Sequence, residues 1–270
     1  MKTKFGHLVA HIILIIGSVI MVIPFIWMIL AALKPNSEMA SPNWIPHDFD
    51  WGNFATVWHT TAIAIWFRNS IIVTLCAVAG QIITSALAGY AFSKMKFHGK
   101  NFIFFAILGA MMIPIQAIIV PLYMELAGLH WTNSLIGLIV PMIPSAFGTF
   151  LFKQFFDDIP RELEEAAFMD GAKRLKILTK IFIPLSKPVI SAFGILSFLF
   201  NWNNFFYALI VVTSTKVQTI PVGLSSFQSG NVSYVNLEMA ASTMAIVPVL
   251  IVFILLQRYF VQSQMMSGIK

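Results

Sequence analysis

The sequence predicts an all-α membrane protein with six transmembrane helices, and three observations carry that expectation. Hydrophobic residues make up 58% of the 270-residue chain against 10% charged, and the mean hydropathy is +0.83, more apolar surface than a soluble domain of this length needs. The apolar residues gather into six segments, at about 8–33, 69–92, 101–124, 135–152, 189–212 and 239–257. Each is near the ~20 residues that cross about 30 Å of hydrocarbon. Finally, the cations segregate. An even number of spans puts both termini on one side, and fourteen of the 17 Lys and Arg residues then fall there, leaving Lys34, Arg68 and Lys216 opposite. Such charge is retained in the cytoplasm, so both termini and the loop between the fourth and fifth spans are expected there. The net charge of +6 follows from this topology and is not a nucleic-acid signal.

The first span follows a basic start, Met-Lys-Thr-Lys, but its apolar stretch from Leu8 to Leu33 is too long for a cleaved leader and is expected to be retained. His7 and His11 share a helix face at its entrance with no third ligand nearby, an interfacial pair and not a metal site. Residues 34–68, rich in turn formers and Trp, predict an ordered outer loop with a short helix. In the second span Cys76 is expected as a small buried residue, and as the only cysteine it forms no disulfide within the chain. Gln81, Thr84 and Ser85 there, and Gln116 in the third span, either glue helices or line a path. Pro114, Pro121, Pro141, Pro144 and Pro248 predict kinks.

The loop between the fourth and fifth spans, 153–187, lies within a single membrane domain, 1–270, and carries its own helical pattern. Pro160 suits a first helical position, and Glu162, Glu164 and Glu165 complement the helix dipole. A helix of roughly three turns is expected to run to Asp170, with Gly171 ending it. A second helix from about Lys173 would place Leu175, Leu178 and Phe182 near one face, and Pro184 and Pro188 would close it. Ala166, Ala167, Phe168 and Met169 put small and apolar side chains on an element that projects into water, which predicts a docking surface.

The fifth span holds the densest polar group, Asn201, Asn203 and Asn204 interleaved with Trp202, Phe205, Phe206 and Tyr207. Either the asparagines tie helices together or they face a transport path. On an ideal helix Asn203 and Asn204 project about 100° apart, so at most one points down such a path. Glu238, at the outer start of the last span, suits a helix N-terminus. No Gly-x-x-x-x-Gly-Lys-Ser/Thr run cradles phosphate, and no Ser, His and acid constellation suggests a hydrolase, so the chain itself is expected to be no enzyme. An ion-coupled secondary carrier, the competing class, would usually carry intramembrane acids and an internal repeat.

The loop pattern Glu165-Ala166-Ala167, then Gly171, then Ile181 and Ile183-Pro184 resembles the cytoplasmic loop of bacterial ABC importer permeases, with Ile183 where Leu is usual. The resemblance extends over nearly the whole chain to the MalG-type permease subunits of carbohydrate importers, the inner-membrane components of binding-protein-dependent systems. It is carried by "RNSIIVT", "FLFKQFFDDIPRELEEAAFMDGA", "PLSKP", "FLFNWNNFFYAL", "PVGL" and "QRYFVQSQMMSGIK". It implies a type I importer fold with a coupling helix between the fourth and fifth spans, in the bacterial cytoplasmic (inner) membrane. The implied partners are a second homologous, MalF-like permease, two copies of an ATPase subunit, an extracytoplasmic sugar-binding protein and membrane lipid, with no nucleic acid. No cofactor is implied in this chain; ATP and Mg belong to the ATPase. The resemblance makes Glu164, Glu165, Ala166, Ala167, Met169, Asp170 and Gly171 the ATPase-coupling residues, and Gln228, Ser229, Gly230 and Asn231 a contact for the binding protein. Asn201, Trp202, Asn203, Asn204 and Tyr207 would form the substrate path, since amides bond sugar hydroxyls and aromatic rings stack on sugar faces. The implied cargo is an oligosaccharide or glycoside. The alternative is glycerol phosphate or a polyol, but a phosphate calls for pore cations, and the spans contain almost none.

Overall fold

The computed structural model describes residues 2–227 and 234–267, and every regular element among them is a helix. In chain order these are α1 (Lys2–Ala32), α2 (Gly52–Thr60), α3 (Ile63–Lys94), α4 (Lys100–Ala110), α5 (Ile115–Gly128), α6 (Leu135–Ile139), α7 (Ala146–Asp157), α8 (Arg161–Met169), α9 (Arg174–Ile177), α10 (Ile183–Leu185), α11 (Lys187–Trp202), α12 (Phe206–Val211), α13 (Ile220–Ser225) and α14 (Val235–Ser267). Three stretches cross a bilayer unaided by length and composition, Val9–Ala32, Ile63–Lys94 and Val235–Leu255. Three bent pairs pass the same test when taken together, which gives up to six spans.

Two of those bends correct the expectation of continuous third and fourth spans, and a gap at 203–205 corrects that of a continuous fifth. α4 and α5 meet at 99° around Met111–Pro114, and the Leu135–Met142 helical stretch meets α7 at 40°. The helical stretch Arg174–Leu185 meets α11 at 79°, and α11 stops at Trp202 before α12 resumes at Phe206. The cause at the first two joints is proline. Pro114 and Pro144 lack the N–H that would continue the ladder and clash with the preceding turn, so the helices stop where kinks were expected. Pro24, Pro121 and Pro248, by contrast, lie inside α1, α5 and α14. The second span also starts earlier than expected, at Ile63.

The chain divides into two compact units. In the first, residues 1–64 and 223–247, the end of α1 is closed by the segment that follows it. Asn53, buried on α2, donates to the carbonyls of Ala32 (3.0 Å) and Lys34 (2.9 Å), and Asn236 donates to Asn53 Oδ1 at 3.0 Å. One amide thus satisfies two of the carbonyls that every helix C-terminus leaves free and ties in the start of α14. Upstream, the apolar stretch of α1 is exposed from Val9 to Ile29 apart from scattered half-buried positions, as expected of a helix facing lipid or another subunit.

The second unit, 65–222 and 248–270, is organised on one face of α3. Asn69, Ser70, Val73, Thr74, Ala77, Gln81, Ser85, Ala86, Tyr90 and Ser93 are buried at three- and four-residue spacing. Small and polar residues on such a face let backbones approach closely and bond across helices. Near the N-terminal end of α3 Asn69 Nδ2 donates to the carbonyls of Lys216 and Gln218 at 3.0 and 2.9 Å, and Ser70 Oγ accepts from Ile220 N at 2.8 Å. Near the C-terminal end of α3 Gly89 meets α7, where an added Cβ would sit 2.6 Å from Phe152 Cβ and 2.9 Å from Lys153 N. Cys76 lies off this face and is exposed, which corrects its expected burial.

Two stability outcomes are expected. Gly89→Val forces α3 and α7 apart and lowers stability by about 1–3 kcal/mol, read as a lower melting temperature in detergent. Tyr207→Phe unpairs the carbonyl of Gly137, to which the buried Tyr207 hydroxyl donates, and costs about 1 kcal/mol by the same measurement.

Candidate functional site

The loop that follows α7 is built as a helix, a reversal and a second helix. Pro160 stands just before the first helical residue, one position earlier than expected, and its φ of −55° suits that place. α8 ends at Met169, and Gly171 takes up φ +76°. Gly171 N bonds the carbonyl of Phe168 and Ala172 N that of Ala167, both at 2.9 Å, the paired closure that a left-handed glycine permits at a helix end. The second helix runs α9, a π turn at Leu178–Phe182 and α10. The wide turn brings Ile177, Leu178 and Phe182 inward together, while Leu175, expected on that face, is exposed.

The two faces of α8 differ in chemistry. Glu164 and Ala167 point inward; Glu164 is 7% exposed and accepts a 2.8 Å hydrogen bond from the Tyr90 hydroxyl. The Tyr90 ring packs edge-on against Phe182 (5.1 Å) and Phe156 (6.3 Å), within a core that includes Phe152, Ile177 and Phe193. One turn on, Ser93 Oγ donates to Asp157 Oδ1 at 2.7 Å, and Lys94 Nζ donates to the Ile159 carbonyl at 2.7 Å. Lys153 pairs with Asp157 at 2.6 Å. The outward face carries Glu162, Glu165, Ala166 and Met169, with Met169 88% exposed and Leu163, Phe168, Asp170 and Gly171 also exposed. Of the residues expected to couple, the fold therefore turns Glu165, Ala166 and Met169 outward and gives Glu164 and Ala167 to the interior.

Inside the membrane the broken spans meet in a polar junction. Pro141 has no N–H for the carbonyl of Gly137, which the Tyr207 hydroxyl takes instead. Gln81 Nε2 donates to the Met142 carbonyl at 2.6 Å, and Thr84 Oγ1 reaches the Ile143 carbonyl at 3.3 Å. Ser145 caps α7 by accepting from Gly148 N at 3.0 Å. Gln81 Oε1 accepts from Ser197 Oγ and, at 3.4 Å, from Asn201 Nδ2, so one glutamine joins three elements. Gln81 and Thr84 are glue, while Gln116 is exposed.

The five fifth-span residues separate here. Trp202 is buried and stacked on Phe198 at 5.5 Å, and Tyr207 is buried. Asn203 and Asn204 fall in the gap between α11 and α12, so the ideal-helix projection does not apply to them. Asn203 is exposed and bonds its own helix at the Leu199 carbonyl; Asn204 is half-buried with Met142 Sδ at 3.8 Å. A small cavity of about 10 Å³, room for a single water, is lined by Asn201, Asn204, Tyr207 and Thr219, with Val73 and Leu138 as apolar walls. Asn201 Oδ1 and Thr219 Oγ1 have no hydrogen-bond partner among the described residues. Gln228, Ser229, Gly230 and Asn231 lie outside the described residues. Sequence reasoning missed Tyr90, Ser93 and Lys94, although their spacing from Gln81 and Ser85 continues one helical stripe.

Residues 81–265 match the family described as binding-protein-dependent transport system inner membrane component. The chain is 33% identical over 258 residues to the arabinooligosaccharides transport system permease protein AraQ of Bacillus subtilis, covering 94% of this chain and 92% of that protein. It is also 33% identical over 264 residues to the sn-glycerol-3-phosphate transport system permease protein UgpE of Pectobacterium atrosepticum, with 94% of each covered. Among solved structures, a bacterial ABC transporter involved in the import of the acidic polysaccharide alginate aligns with a TM-score of 0.86 and 24% identity over 96% of this chain and 98% of that one, a likeness of fold.

The reversal after α8 is testable alone. A Cβ at Gly171 meets nothing within 4 Å, so any penalty there is conformational. Gly171→Asn, which tolerates the left-handed region, should stay near the parent, whereas Gly171→Val should cost about 1–2 kcal/mol and speed proteolysis between 169 and 174.

Proposed function

Because this chain belongs to the inner-membrane components of binding-protein-dependent transport systems, we propose that it forms half of the translocation pathway of an ATP-driven importer for an oligosaccharide or glycoside. It is a multi-pass permease subunit and not an enzyme; permeases of this kind work with a binding protein, a second permease and an ATPase. In our reading the partner permease is MalF-like, two ATPase copies carry the ATP and Mg, and the chain acts as one permease domain. Both termini and the loop 153–187 lie in the cytoplasm, on the strength of the cation asymmetry.

The observation that carries this reading is the division of α8: a face of Glu165, Ala166 and Met169 offered outward on a helix whose other face is seated in an aromatic core. An exposed methionine beside small residues and a carboxylate suits a cleft on a protein partner, with Asp170 and Gly171 reversing the chain away from it. ATP-driven closure of the two ATPase copies would then move α8 as a rigid element. Glu165→Lys and Met169→Asp should each leave the protein in the membrane, abolish ATP-driven uptake in proteoliposomes and reduce co-purification with the ATPase. Normal uptake by both removes the docking assignment.

For the pathway, Asn203 and Asn204 at the interrupted helix are the side chains we assign to the passing substrate. Asn201 Oδ1 and Thr219 Oγ1 in the small cavity beside Asn204 support a route that takes hydroxyl groups. Trp202 and Tyr207 serve as its fixed walls. With uptake corrected for assembled complex, Asn203→Leu and Asn204→Leu should slow transport; parent rates for both would make them structural. Deleting Gln228 to Asn231 should abolish stimulation of ATP hydrolysis by loaded binding protein. The likeness to UgpE keeps glycerol phosphate as a second reading. Against it, the Lys and Arg residues on α3 to α7, α11 and α12 all lie within two turns of a helix end: Lys94, Lys100 and Lys187 in terminal turns, Arg68 and Lys153 in the turn next to one. Uptake of neutral oligosaccharide but not glycerol phosphate is the expected result.

A further inference from the structure

The two ends of α8 are soft joints. It leaves α7 through the non-helical Asp158–Pro160 stretch and reaches α9 through the left-handed Gly171, and the α9–α10 stretch meets α11 at 79° around Ser186. Neither neighbouring span therefore continues α8 as one straight helix. The firm attachment is sideways. On one face of α3 at i, i+3 and i+4, Tyr90 bonds Glu164 on α8 itself, while Ser93 and Lys94 bond Asp157 at the end of α7 and the Ile159 carbonyl in the stretch that leads into α8, all within 2.8 Å. The Tyr90–Glu164 bond is buried at both ends, where a hydrogen bond to a carboxylate is strong and an unpaired one costly.

α3 itself is 32 residues long with no interior proline, a stiff rod. Nine residues before Tyr90, about 13 Å along the axis, the same rod presents Gln81 to the Met142 carbonyl at the break in the fourth span, and to Ser197 and Asn201 of α11. Resting on the coupling role assigned to α8 above, we propose that α3 is the element that receives its movement. Tyr90 is the positioning residue that takes the displacement from Glu164, and Gln81 is the one that delivers it to the junction of the broken spans. Glu164 then acts on the permease side of α8, back to back with Glu165 on the partner side.

The test is the number of sugar molecules imported per ATP hydrolysed by the reconstituted complex. Tyr90→Phe keeps the ring in the aromatic core and removes only the hydroxyl. It should assemble with the ATPase yet lower that ratio roughly fivefold or more, and Gln81→Leu should do the same. Glu164→Gln, which retains an acceptor oxygen, should stay within about twofold of the parent, while Glu164→Leu should match Tyr90→Phe. A purely structural role would lower the amount of assembled complex and leave the ratio unchanged, and that result overturns the proposal. A second measurement needs none of these variants. In a Cys76→Ser background, labels at Ile83→Cys on α3 and Arg161→Cys on α8 should keep one separation with and without ATP; a change on ATP binding also overturns it. Absence of ATP-dependent uptake by the parent complex would instead overturn the importer reading.

Discussion

A polar group inside hydrocarbon must find its partner within the protein, and in the second unit of this chain that requirement converges on one face of α3. Asn69 and Ser70 satisfy backbone groups of the segment 216–220, Gln81 satisfies a carbonyl at the break in the fourth span, and Tyr90, Ser93 and Lys94 hold the 157–164 segment. Apolar packing alone would not choose this arrangement, because lipid offers α3 the same contacts as another helix. The amides and hydroxyls choose it, and glycine at 89 allows the approach.

The same constraint explains why the spans are broken where they are. Pro141 frees the carbonyl of Gly137 and the extended Ser145 interrupts the ladder beyond Met142, costly losses in a membrane, yet each carbonyl has its donor on a neighbouring element: Tyr207 for Gly137 and Gln81 for Met142. Irregular backbone at membrane depth is tolerated only when protein or a cavity surrounds it. Here it adjoins a small cavity lined by Asn201 and Asn204, so protein polar groups surround the interruption.

Division of labour on α8 follows from helical geometry. Adjacent glutamates project about 100° apart, so one carboxylate is buried against Tyr90 while the next is exposed. Ala167 supports the buried side and Ala166 the exposed one in the same way. A helix built like this transmits force only if its inner face is anchored, and the aromatic core of Phe152, Phe156 and Phe182 provides that seat.

Primary structure alone settles the class, the number of apolar segments, the helix and glycine reversal of the loop, and the family. Each rests on local signals: segment length, charge placement, and the left-handed backbone that Gly171 permits. Which of two adjacent glutamates turns inward, and that Asn203 and Asn204 stand in a gap and not on a helix, only the tertiary structure decides. Leu175 gives way to Ile177 because a π turn shifts the phase, which a regular period does not foresee. A span apolar on every face carries little periodic signal to mark its buried side. The bonds that mark it join residues 74 apart for Tyr90 and Glu164 and 61 apart for Gln81 and Met142, pairings that local sequence patterns do not encode.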